Sequence, residues 1–341
     1  MAIWVATGVS GSGRRELLDA LAEEARSAGQ RVAAHDVGEL LRRECRRIGL
    51  PFDDQRILNV DRRLLESLRS SALRQAQLQI VQSPSDTLHF VGVHAVFRWK
   101  HRIIPGISYG DLAELNPAGL LNIVDDLATV CSTNRSNPKW TPDSLPSYTE
   151  TQDWMMEEEL VTETLGDVLG KPVFLVSRRH RIPNLLDLFF TPKKRIYLSY
   201  PITAIRKDNP KLLNEIQGPI LKKLEELFVV FDPLAIKDMA LVSRAESLTR
   251  DARQMVKART IDRDFQFIEQ ADGIVVFYMT DKLSPGVIAE IQYAHRHQKP
   301  VFVAIPGDRS PFLEDVATRI APTLDALMPT LRRWARDGDA T

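Results

Sequence analysis

The sequence predicts an α/β protein of two domains, each a parallel sheet flanked by helices. Three observations carry this. Short apolar runs of strand length alternate with longer stretches of helical periodicity. The alternation breaks near residue 190 and then restarts. A chain of 341 residues with 44% apolar content has enough material for two cores.

The first half opens with the apolar run 1–7, followed by a glycine-rich turn and an amphipathic helix over 14–28 that ends near Gly29. Residues 31–35 give a second strand and 37–48 a helix. Leu64, Leu65, Leu68, Leu73 and Ile80 recur at helical spacing over 61–82. TLHFVGVHAV (87–96) and LLNIVDD (120–126) read as buried strands. The stretch 132–150, rich in Ser, Thr, Pro and Asn, reads as a loop or flap. A helix over 151–169 and a strand over 171–177 complete a domain assigned to 1–185. Residues 183–194 read as a connector, with the linker at 186–194. The second domain, 195–341, has strands at 195–201, 227–233, 273–279 and 300–306, and helices near 208–226, 243–270 and 285–297.

Composition excludes several classes. Lys+Arg and Asp+Glu balance at 45 each, so bulk charge predicts neither nucleic acid nor an anionic membrane as partner. No apolar run approaches the roughly 20 residues of a membrane span, and no signal peptide precedes Gly8. Two cysteines, Cys45 and Cys131, suit a reducing compartment. A cytoplasmic protein without metal or cofactor is expected.

GVSGSGRR (8–15) stands where a phosphate-binding P-loop belongs, between a strand and a helix. Gly8, Gly11, Ser12 and Gly13 keep the backbone for a nest of N–H groups. The lysine position is Arg14 and the hydroxyl position is Arg15. In the second half, Val287, Ile288, Ile291 and Ala294 form a helical stripe with Glu290 on its flank, near the edge where α/β sheets bind ligands. Ser284 and Gly286 precede that helix, Asp264 lies on the helix before 273–279, and Tyr197, Ser199 and Pro201 sit on the opening strand and its loop. Arg206, Lys207 and the basic stretch 244–259 (Arg244, Arg250, Arg253, Lys257, Arg259) are either phosphate-gathering or solvated.

Over 1–185 the chain resembles archaeal-type adenylate kinases, through VATGVSGSGRRELL, LHFVGVHAV and IIPGISYGDLAELNP, with His94-Ala95, Pro105-Gly106 and Pro117 matching. That resemblance implies a P-loop kinase-like fold. The family's strand Asp falls on Gly92, so with Arg14 and Arg15 three catalytic groups are missing and kinase activity is not expected. The turn is then a lapsed kinase loop, read either as a degenerate nucleotide-binding loop of Gly8, Gly11, Ser12, Gly13 and Arg14 or as part of a purely structural or oligomerisation domain.

Over 195–310 the chain resembles the nucleoside 2-deoxyribosyltransferase superfamily and its 2'-deoxynucleoside 5'-phosphate N-hydrolases. The matches are Ser284, Gly286, Val287, Glu290 and Ala294 with Lys299-Pro-Val301; Asp264, Ile268, Ala271 and Asp272; and Tyr197. The resemblance implies a Rossmann/flavodoxin-like domain in which Glu290 attacks C1' of a (deoxy)nucleotide, giving a covalent glycosyl-enzyme. Asp264 and Tyr197 would assist, and Ser199, Pro201, Ser284 and Gly286 would bind substrate. The expected function is therefore an N-glycosidase, a homo-oligomer acting on a small-molecule nucleotide, with a second nucleotide at the N-terminal half. Rival readings are a nucleotide-sensing regulator without turnover and a defence or toxin effector that depletes a pool such as NAD.

Overall fold

The computed structural model describes residues 2–50, 57–99, 102–235, 250–307 and 310–337, with only the backbone of 250–258. Two compact α/β units form. Among the described residues, one takes those up to Arg179 together with 250–252, and the other takes 180–235 and those from 253 on. Among the described residues no helix is long and apolar enough to cross a membrane.

The first unit has strands β1 (Ala2–Thr7), β2 (Val32–Asp36), β3 (Leu88–Gly92), β4 (Val96–Trp99), β5 (Arg102–Pro105), β6 (Gly119–Val124) and β7 (Val173–Ser177). Five of them make a parallel sheet in the order β2-β3-β1-β6-β7. β3 and β6 are buried along their whole length, His89 and Asn122 included, as strands of a helix-covered parallel sheet are. β1 lies at the centre, so the turn after it opens at the middle of the sheet's C-terminal edge. That order and that central turn make this unit P-loop kinase-like. The helix Arg14–Ser27 buries Leu17, Leu18, Leu21, Ala22 and Ala25 against the sheet.

The second unit has β8 (Arg195–Ser199), β9 (Val229–Phe231), β10 (Gly273–Phe277), β11 (Val301–Ala304) and β12 (Arg319–Ala321), all parallel in the order β9-β8-β10-β11-β12. This is the doubly wound order of flavodoxin-like sheets, whose switch point lies between β8 and β10. Tyr197, Phe228, Phe231, Phe267 and Phe302 are buried to under 2% exposure in this unit.

Several elements differ from the sequence expectation. The segment expected as a single strand at 87–96 ends at Gly92, and β4 pairs antiparallel with β5 in a separate hairpin. The 132–150 flap is partly helical. Leu127–Ser136 is a helix capped by Asp126, and Tyr148–Leu169 begins inside the stretch through a capping box of Ser147 and Glu150. The 183–194 connector is largely the helix Ile182–Phe190. The helix expected at 208–226 is broken into short pieces around a π-turn at Ile216–Ile220 that contains Pro219. The side chains of the basic stretch 244–258 lie outside the described residues.

At the β2 edge of the first sheet, His35 and His89 form a buried pair. The His35 Nε2 lies 3.1 Å from His89 Nδ1, and its Nδ1 lies 3.1 Å from Gln79 Oε1. Burial, with His35 beside it, drives His89 down to about 4. An unfolded chain has its histidines near pH 6.5. Between pH 6.5 and about 4 it therefore binds a proton at position 89 that the folded protein refuses. Stability is full above pH 6.5 and falls as the pH drops toward 4, by up to about 1.4 kcal/mol per pH unit for this group. Urea midpoints of the first unit measured between pH 7 and 4.5 should fall less steeply for His89→Phe than for the wild type. Equal slopes would show that position 89 does not titrate in this way.

Candidate functional site

The glycine turn of the first unit is fixed by sterics. Gly8, Gly11 and Gly13 have φ of 144°, 86° and 76°. A Cβ on Gly8 would stand 2.5 Å from the Ile123 carbonyl oxygen, so no other residue fits there. Gly13 is the N-cap of the helix Arg14–Ser27 and offers no side-chain cap. The N–H groups of that helix's first turn therefore face the turn without an intrahelical acceptor. Ser12 is fully buried, and its Oγ has no hydrogen-bond partner among the described residues.

The lysine position of the motif does something else here. Arg14 turns inward, and its Nη1 donates to the carbonyls of Gly8 at 2.7 Å and Val93 at 2.8 Å. Beneath it lies Glu158, from the helix Tyr148–Leu169, at 1% exposure. Its Oε1 accepts from Gly8 N and Ala95 N, and its Oε2 from Val96 N, each at 2.8 Å. Burial pushes this carboxyl up, against the pull of those three N–H groups and of Arg14. His94 Nδ1 lies 3.8 Å from Glu158 Oε1, and burial holds the imidazole well below its ordinary range, hence neutral. Glu158 thus locks the Gly8 turn to the β3–β4 connection.

A cavity of about 300 Å³ opens beside the turn. Arg14, Arg15, Arg42, Arg69 and Lys139 bring five cations to its wall, against the two acids Glu16 and Asp36. Trp99, Trp140 and Trp154 bring aromatic surface, with ring centroids 6.1 Å apart for Trp99–Trp140 and 6.2 Å for Trp140–Trp154. Each indole is anchored, Trp99 to Asn59, Trp140 to Asn134 and Trp154 to the Val96 carbonyl. Arg69 is only 6% exposed. Its guanidinium lies 5.2 Å from the Phe97 ring centroid and donates to the Pro105 carbonyl, while Nη2 has no partner among the described residues. Burial pushes its pKa down to about 10. A buried cation without a carboxylate at contact is costly unless an anion joins it.

The second unit gathers most of its expected residues at the β8/β10 switch point. Tyr197 and Ser199, two apart on β8 and so on one face, both donate to Glu290. Tyr197 OH reaches Oε1 at 3.1 Å and Ser199 Oγ meets Oε2. Glu290, on the helix Pro285–Arg296, is 8% exposed. Asp264, on the helix Arg250–Gln270, is half-buried and near enough to Tyr197 to add to the effect of burial in raising its phenol. Ser284 and Gly286 line a pocket of about 510 Å³ with Glu290 and Lys207, but Pro201 is a buried residue before the helix Ile202–Asp208 and does not line it. The sequence reading missed Tyr200, which donates to Asp232 at 2.8 Å beside this pocket. In the first unit it missed Glu158, Arg69 and the three tryptophans. The clustering of Trp99, Trp140 and Trp154 around one glycine turn left no local pattern, although their number in the first half was visible.

Compared with known proteins, no family model matches the chain and no curated protein matches it. Among solved structures, that of deoxyadenosine kinase from M. mycoides with bound dATP is similar at a TM-score of 0.34 and 12% identity, over 56% of this chain and 97% of that one. Two expectations are corrected accordingly. The N-glycosidase reading of Glu290, Asp264 and Tyr197 is withdrawn, because the structural neighbour named above is a nucleoside kinase and supports no such activity. The expectation that kinase activity is absent is withdrawn with it, since the named neighbour is itself a kinase. The Tyr197–Ser199–Glu290 cluster needs no reaction to account for it, because a buried carboxylate requires donors in any case.

Proposed function

We propose that the first unit binds a nucleoside phosphate in the cavity beside the glycine turn. One observation carries the reading: a single cavity joins an uncapped helix N-terminus, five cations and three tryptophans. Each part suits one part of such a ligand. First-turn N–H groups and the helix dipole favour a phosphate. The excess of cations over acids favours an anion with more than one charge. Of the three indoles Trp140 is the one left partly open, and its fixed face favours a planar base, by stacking. The volume of about 300 Å³ lies at the lower end for small-molecule sites.

Titration calorimetry with a nucleoside and its mono-, di- and triphosphate tests the reading. Affinity should rise with each added phosphate and fall with salt. Affinity that does not depend on phosphate would sink it. Transfer of the γ-phosphate of ATP to nucleosides and nucleoside monophosphates, followed on the same samples, decides between a phosphotransferase and a binding protein.

A further inference from the structure

We infer that Arg178 supplies the phosphate-facing charge that a P-loop lysine would supply, from the opposite side of the turn. The inference rests on the nucleoside-phosphate reading of the first unit. The residue in the lysine position is committed elsewhere, because Arg14 donates its Nη1 to two carbonyls and lies against Glu158 and Asp36. Its Nη1 is thereby held inside the fold.

Arg178 follows β7 and its side chain lies directly over Gly13. A Cβ on Gly13 would meet Arg178 Cδ at 2.6 Å and its Nε and Nη1 at 2.9 Å. The absence of a side chain at Gly13 is what lets this guanidinium reach the helix N-terminus. Asp125, fully buried at the end of β6, holds the guanidinium through Nε at 3.2 Å. The side chain is otherwise about one-third open to solvent.

The arrangement is electrostatically unusual. An arginine at a helix N-terminus opposes the helix dipole, which favours anions there. An anion lying between the first-turn N–H groups and the guanidinium would be attracted by both. Arg69 points independently to an anionic ligand, since it is 94% buried, lines the same cavity as Gly13 and leaves Nη2 without a partner among the described residues. The chemical class is a phosphate or polyphosphate carried by the nucleoside, seated on the turn 11–15 and closed over by Arg178.

The test uses the full chain, with adenosine, ATP and inorganic tripolyphosphate as probes in titration calorimetry. Arg178→Ala should weaken ATP and tripolyphosphate about ten- to a hundredfold, leave adenosine unchanged, and recover part of the loss as Arg178→Lys. Circular dichroism melts confirm that the variants are folded. If Arg178→Ala does not fold, Arg178→Gln, which keeps a donor for Asp125 and loses the charge, should show the same loss. Wild type that binds ATP, with variants that bind it equally well, overturns the inference and leaves the nucleoside-phosphate reading intact. Wild type that binds none of the three probes overturns both.

Discussion

Glu158→Leu is expected to destabilise the first unit by about 4 kcal/mol. The substitution removes the acceptor of three buried backbone N–H groups, those of Gly8, Ala95 and Val96. It also takes a buried countercharge from Arg14, which Asp36 supports as well. An unsatisfied buried donor costs about 1–3 kcal/mol, and partial relaxation keeps the total below the simple sum. Glu158→Gln keeps one acceptor oxygen and should cost about half as much. Urea unfolding followed by tryptophan fluorescence reports on this unit, because Trp4, Trp99, Trp140 and Trp154 belong to it and only Trp334 lies in the other. A Glu158→Leu midpoint within about 1 kcal/mol of wild type would show that the carboxylate does not hold the turn.

Arg69→Met is expected to act in the opposite sense on stability and against function. Replacing a buried charge that lacks a contacting carboxylate by an apolar side chain of similar length is often stabilising, here by about 1–2 kcal/mol. The loss of the bond to the Pro105 carbonyl keeps the gain small. The same substitution removes a cation from the cavity wall and should weaken a nucleoside triphosphate about tenfold or more, with the bare nucleoside unaffected. A residue kept only for packing would give no such opposition of signs. If Arg69→Met lowers stability and leaves triphosphate affinity unchanged, Arg69 is part of the scaffold and not of a binding site.

Much of the fold could be read from the chain because its signals are local. The run AIWVAT, the glycines at 8, 11 and 13 and the leucines at 17, 18 and 21 specify strand, turn and helix within some twenty residues. Elements whose determinants are not local were missed. The helix Leu127–Ser136 has a polar C-terminal half, STNRS, and is stabilised by the Asp126 cap and by burying Val130 and Cys131. The strands β4 and β5 carry Arg98 and Arg102, and the basic run of the sequence around them obscures the alternation of a strand pair.

The site was legible in the same uneven way. The glycine turn stood out, but Glu158 sits in the run EEEL and reads as an ordinary helix-surface acid. Only the fold brings it under Gly8. Arg69 likewise looks like one more solvated arginine on a helix. In the second unit, Tyr197, Ser199 and Glu290 do converge, yet convergence of donors on a buried carboxylate does not name a reaction. A motif match placed the residues and over-specified the chemistry.

The central claim, a nucleoside phosphate seated at the glycine turn, is tested most directly by amide NMR of the deuterated protein with and without ATP. The amide protons of Gly11, Gly13, Arg14 and Arg15 should move downfield as they take phosphate oxygens, and the indole signals of Trp99 and Trp140 should shift with them. Shifts confined to the surroundings of Glu290, with the turn and the tryptophans unmoved, would contradict the account.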